Sequence, residues 1–156
     1  MRVLARSTVP LLLVLACDSA SEDEAADAAG PVARDCAIET RADDYTLGMQ
    51  RSGERLSVAI LDATPAPPSR GDNTWRVRVQ DDAGLPQTAT IDVSTFMPDH
   101  QHGSSIVAQV EPADVPGEFV ITPVDFFMPG LWEVTLDLQQ EDGFEDAVVF
   151  RFCVDP

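Results

Sequence analysis

The sequence predicts an all-β domain, an immunoglobulin-like antiparallel β-sandwich of about 7–8 strands. Three observations point there. Apolar and polar residues alternate in short runs, the period-two pattern of half-buried strands. Clusters of Gly, Pro, Asn and Asp separate these runs at 51–53, 65–73, 81–86, 112–117 and 141–143. No helical periodicity lasts ten residues. A closed barrel is the other architecture compatible with so many short strands.

In chain order, residues 1–16 read as a processing signal rather than as fold. Arg2 and Arg6 give a positive start, residues 9–15 form a short apolar core broken by Pro10, and Ala16 precedes Cys17. The tetrapeptide Val14-Leu15-Ala16-Cys17 resembles the lipobox of a bacterial lipoprotein signal, in which the cysteine becomes lipidated. Leu15 is bulkier than that pattern usually carries, and an ordinary secretory signal is the alternative. Either reading exports the domain. A lipid anchor on Cys17 would hold it at the bacterial cell envelope, on the periplasmic face or at the outer membrane. Residues 17–35 are rich in Ala, Ser, Asp and Glu and are expected to form an acidic disordered tether, because they bury too little apolar surface to offset the entropy of ordering. Such a tether reaches roughly 25 Å.

The domain proper is expected to span residues 36–156, a length that suits one core. Residues 45–49 are a weak first strand. Leu56, Val58 and Ile60 mark the second strand, and Trp75, Val77 and Val79 the third. Ala89, Ile91 and Val93 mark the fourth, and Ile106, Ala108 and Val110, less cleanly, the fifth. Trp132, Val134, Leu136 and Leu138 give the clearest alternation. Residues 119–124 and 147–154 are more continuously apolar and are expected to be buried on both faces. Trp75 and Trp132 sit in these strands as core residues, and Arg76 and Arg78 fall on the solvated face of theirs.

If each strand crosses the sandwich once, connections alternate between its ends. The 65–73, 97–104 and 125–130 connections then share one end, together with the start of the first strand and the end of the last. That places Cys36 and Cys153 near each other. With Cys17 assigned to the lipid, an oxidising exported compartment predicts a Cys36–Cys153 disulfide. Two metal-binding thiolates are the alternative, without paired-cysteine spacing to support them.

The chain carries ten arginines, no lysine and 27 acids, for a formal charge of −17. So acidic a surface repels nucleic acid and anionic headgroups, and no nucleic acid is expected as a partner. It concentrates cations without choosing among them, and it also serves as a plain solubility device.

Chemistry concentrates in two turns. Met-Pro-Asp-His-Gln-His-Gly at 97–103 holds both histidines, His100 and His102, and Met-Pro-Gly follows at 128–130. Imidazole and thioether are the neutral ligands that soft or borderline metals prefer. The histidines lie two apart, so an extended segment projects both to one side. Pro98 biases Met97 toward extended backbone, and Pro129-Gly130 suits a type II turn that fixes Met128. The candidate metal residues are therefore His100, His102, Met97 and Met128, with copper the expected metal. Asp99 is a further oxygen donor for Cu(II), and with both histidines for zinc. Against this stands a structural role, with both methionines as core fillers and the histidines capping backbone groups. Nothing here predicts an enzyme. Ser104 and Ser105 lack a nucleophile elbow, and no phosphate-cradling glycine loop is present.

Gly71-Asp72-Asn73-Thr74-Trp75, then Gly84-Leu85-Pro86, MPDHQHG and Phe-Met-Pro-Gly-Leu-Trp at 127–132 together resemble the YtkA-like domain, a relative of the FixH-type proteins. The resemblance runs from Asn73 to the C-terminus. It implies an exported or membrane-attached immunoglobulin-like sandwich. Through the FixH-type members it also implies an association with assembly of copper-containing respiratory oxidases. The common family form has glycine where Gln101 stands between the histidines. The functional expectation is an exported lipoprotein that binds copper for carriage or delivery to a copper-receiving envelope protein. A non-catalytic interaction module without metal, using the same end of the sandwich, is the alternative.

Overall fold

The computed structural model describes residues 36–156. The expected signal at 1–16, Cys17 and the tether at 17–35 lie outside the described residues. After a 3-10 turn at Cys36–Ile38 the chain forms nine strands among the described residues. They are β1 (Gln50–Ser52), β2 (Leu56–Thr64), β3 (Gly71–Asp81), β4 (Thr90–Met97), β5 (His102–Gly103), β6 (Gln109–Pro112), β7 (Glu118–Phe126), β8 (Gly130–Gln139) and β9 (Glu145–Val154). One sheet runs β1-β2-β3-β7-β6 and the other β5-β4-β8-β9, with every pairing antiparallel. Neither sheet closes on itself, so the architecture is a sandwich and not a barrel.

The alternation seen in the sequence becomes the core. Inward residues Val58, Ile60, Trp75, Val77, Val79, Ile121 and Val124 of the first sheet meet Ile91, Trp132, Val134, Leu136, Phe150 and Phe152 of the second. Trp75 packs edge-on against Phe152 at 5.4 Å between ring centroids, and Phe126 meets Trp132 at the same distance in a tilted arrangement, binding the two layers by large aromatic surfaces.

Three details of the sequence reading are corrected. Residues 45–49 do not form a strand; Met49 is buried and Tyr45 half-buried, and β1 begins only at Gln50. Ladder pairing with β2 at Gln50↔Ala59 decides this, which an apolar count does not register. The fifth expected strand at 106–110 is mostly a crossover between sheets: Ile106 and Val107 are exposed, and β6 starts at Gln109. Two strands thought fully buried differ. Strand β7 is buried along most of its length, whereas β9 buries one face and leaves the other half-covered.

The end-to-end parity survives these changes. The two-residue β5 and β6 together make a single crossing. Register pairs Gly71 with Phe126 and Gly130 with Val154, so the 65–70, 98–101 and 127–129 connections and the end of β9 share one end. There Cys36 and Cys153 are bonded, their Cα atoms 5.4 Å apart. Arg76 and Arg78 lie on the solvated face as expected, and from there both reach the buried carboxylate of Glu118 across the β3–β7 ladder, Arg78 at 2.7 Å.

Two polar side chains organise connections that hydrophobic pattern alone leaves undefined. Asn73 is fully buried; its Oδ1 accepts from the Ser69 amide, and its Nδ2 donates to the carbonyls of Ser69, Gly71 and Val124. This clasps the β2–β3 connection to β7. Asn73→Ala is expected to lower stability by about 2 kcal/mol, since a truncated partner strands buried backbone groups. A lower urea midpoint at unchanged m-value is the result that checks it.

Asp146, half-buried on β9, accepts from the amides of Glu54, Arg55, Leu56 and Ala147 and so fastens the β1–β2 turn to the other sheet. Burial pushes its carboxyl up, but the four backbone donors outweigh this and hold it below the ordinary 3.8. A depressed acid stabilises the fold above its unfolded pKa, and that contribution disappears as pH falls through the folded value. The prediction follows that the wild type loses stability below pH 3.8, and that Asp146→Asn loses less over the same interval. Chemical denaturation at neutral and acid pH measures both slopes.

Candidate functional site

The histidine loop is built by a tight hairpin. Strand β4 ends at Met97, the Met97 carbonyl accepts from the amides of His100 at 3.2 Å and Gln101 at 2.8 Å, and β5 returns with Met97 paired to His102 and Phe96 to Gly103. Directly opposed residues of an antiparallel pair project to the same face. Met97 and His102 therefore share a face, while Phe96 projects to the other and is partly exposed. Gly103 is required for the close return: a Cβ there would lie 2.1 Å from the Thr95 carbonyl oxygen. Gln101 occupies the left-handed region at φ 56° and donates its side-chain amide to the Pro98 carbonyl. Glycine adopts that backbone without steric cost, so a glycine at position 101 would relieve the turn.

The two imidazoles stand together, with ring centroids 5.7 Å apart, and both are half-buried. His102 stacks on Phe127 at 5.5 Å, and Phe127 in turn meets Trp132 edge-on at 5.3 Å. The buried Trp132 indole donates to the Met128 carbonyl at 2.9 Å, tying the second turn to the start of β8. An aromatic relay thus runs from the core to the histidine loop. Sequence reasoning did not single out Phe127; its position immediately before the Met-Pro-Gly turn was the available signal.

The second turn meets the first at Gly130. Its φ of +127° excludes L side chains, and a Cβ there would lie 2.9 Å from the Met97 methyl carbon. Met97 is fully buried against this backbone, and Met128 is half-buried and packed on the core. The four candidate residues His100, His102, Met97 and Met128 are thereby gathered at one end of the sandwich. The two methionines come from inside, the two histidines from the partly exposed rim.

Asp99 is engaged elsewhere. Arg41 donates through Nη1 to its Oδ1 at 3.0 Å and through Nη2 to its Oδ2 at 2.8 Å. Among the described residues no group of three or more His, Cys, Asp and Glu side chains is arranged to hold a metal. The His100, His102 and Asp99 set considered for zinc is not assembled here, because the carboxylate is clamped by a guanidinium. Cys36 and Cys153 are joined to each other, so thiolate ligation is not on offer either. The remaining candidate donors at this end are the two imidazoles and the two thioethers. Ser104, two residues after His102, donates to the buried Asp125 at 2.6 Å and accepts from the Ile106 amide. Its hydroxyl shapes the crossover between sheets.

No curated protein matches the chain. The family model for YtkA-like proteins matches residues 53–137, more than half of the chain. The match begins twenty residues before Asn73, where the resemblance was placed, and stops within β8, short of the last strand. Both Met-Pro turns fall inside it. This chain belongs to the YtkA-like family.

Proposed function

We propose that this is an exported lipoprotein whose sandwich binds copper through His100 and His102, with Met97 and Met128 as thioether donors, and carries the ion to a copper-receiving protein of the cell envelope. The single observation that supports it most is the meeting of two turns distant in sequence. Met97 faces the same side as His102 and abuts Gly130, two residues after Met128. Neutral nitrogen and sulfur donors in this proportion suit Cu(I), the softest of the common biological choices. The N-terminal pattern ending in Cys17 supports the lipid anchor.

A second reading, an interaction module that needs no metal, draws on Phe127 and Phe96, which are 42% and 38% exposed at the same end. Exposed aromatics next to a carrier site also suit docking to the recipient, so this observation serves both readings. Titration of the soluble domain with Cu(I) against a competing chelator separates them. Submicromolar affinity is expected for the carrier. Affinity weaker than about 1 μM, which corresponds to roughly 8 kcal/mol, leaves the interaction module as the better account.

A further inference from the structure

We infer that the open side of the sandwich, between β4 and β6, accepts an extended basic segment of a partner protein as an added strand, paired to the outer edge of β4. None of Thr90–Thr95 is a candidate metal ligand, so strand addition stands apart from the copper reading.

The two sides of the sandwich are finished differently. On one, Asp146 of β9 accepts from the amides of the β1–β2 turn and draws the sheets together. On the other, β4 packs against β7, and β6 continues past it. Among the described residues only the two-residue β5 lies beside β4 there, and it pairs with Phe96 and Met97 alone. Thr90–Thr95 therefore has no strand partner on that flank. Strand β6 is the poorer edge, four residues long and ending in Pro112, which has no N–H to give.

Between the two edges the sheets leave a groove of about 410 Å³, lined by Ala89, Ile91, Val110, Val115, Pro116 and Phe119 among others. Ala89, Val93 and Val110 pack on the core yet stay half-buried, and Val115 is exposed, so apolar surface remains at the rim. A strand laid along β4 turns alternate side chains into this groove and the others outward. It also runs up to β5, and so brings its owner beside the histidine loop.

Charge identifies the occupant. An added residue opposite Asp92 on the outer face has Asp92 as its neighbour and, one strand further, Asp137, both exposed. Opposite charges directly across a strand pair stabilise it, and like charges oppose it. The outward positions of the incoming segment therefore suit Lys or Arg, and its inward positions suit Val or Ala. A second copy of β4 does not meet this description, since Thr90–Met97 contains no basic residue.

The test titrates the disulfide-bonded protein with a synthetic peptide of about eight residues that alternates valine and lysine. Salt near about 0.15 M screens long-range attraction to the acidic chain. One-to-one binding is expected, with new hydrogen-exchange protection at alternate amides of Thr90–Thr95. Glutamate in place of every lysine of the peptide, or N-methylation of all its amides, should weaken binding by about tenfold or more. Asp92→Asn and Val115→Ser, at exposed positions that leave the fold intact, should each weaken it by about threefold. Equal binding of the glutamate or N-methylated peptide, or binding without protection at Thr90–Thr95, overturns the inference and reduces the attraction to net charge or bare apolar contact. Protection of Thr90–Thr95 already present without peptide overturns it too. If that protection grows with protein concentration the occupant is a second copy, and if it vanishes on removal of residues 17–35 the occupant is this chain's own segment.

Discussion

Replacing His100 and His102 together with alanine is expected to weaken Cu(I) binding by about 100-fold or more, roughly 3 kcal/mol. The two rings are 5.7 Å apart on a hairpin whose register points His102 to the same side as Met97, so the double change would remove both proposed nitrogen donors. Both rings are half-buried, and neither belongs to the hydrophobic core. Unfolding stability should therefore move by no more than about 1 kcal/mol, mainly through the lost stacking of His102 on Phe127. Affinity and stability measured on one preparation separate loss of ligands from loss of fold. Copper binding of equal strength in the double variant would assign it to the general acidity of the surface and end the carrier proposal.

The second large effect concerns the Cys36–Cys153 bridge, which spans 117 residues of chain. Serine at both positions is expected to lower stability by about 3–5 kcal/mol on the chain-entropy model, because the open chain gains so many conformations. For a domain of this size that is a substantial share of its total stability. Denaturant titration of the serine variant against the oxidised wild type measures it. A loss below about 1 kcal/mol would mean that the contacts of Asp43 with β9 already hold the N-terminal segment in place.

Most of the sandwich was legible because its strands alternate strictly: Trp132 to Leu138 and Trp75 to Val79 report their buried face residue by residue. The shared end of the two Met-Pro turns followed from counting crossings, and it held even though one crossing turned out to be two short strands. The first strand and the crossover at 104–108 were not legible. There, ladder bonds and side-chain hydrogen bonds such as Ser104 to Asp125 decide the path, and these have no period. At the site, the four candidate ligands were visible as residue types in turns. The clamp on Asp99 was not, since its partner Arg41 lies 58 residues away in the sequence and belongs to no recognisable motif. The stacking role of Phe127 was not legible for a related reason. A single aromatic before a turn reads as a core anchor, whereas it is 42% exposed and stacks on an imidazole.

Strand β5 covers β4 only at Phe96 and Met97, and the ladder on that side stops there. Among the described residues the stretch Thr90–Thr95 pairs with β8 alone, so its outer flank offers main-chain donors and acceptors to an arriving strand. Its outward side chains are short and polar, and Asp92 lies directly across from Asp137. A neighbouring molecule adding its own β4 there would crowd four carboxylates onto one surface, within a chain that already carries a large excess of negative charge. Electrostatic repulsion, rather than a covering element, is thus expected to oppose edge-to-edge pairing of two such domains.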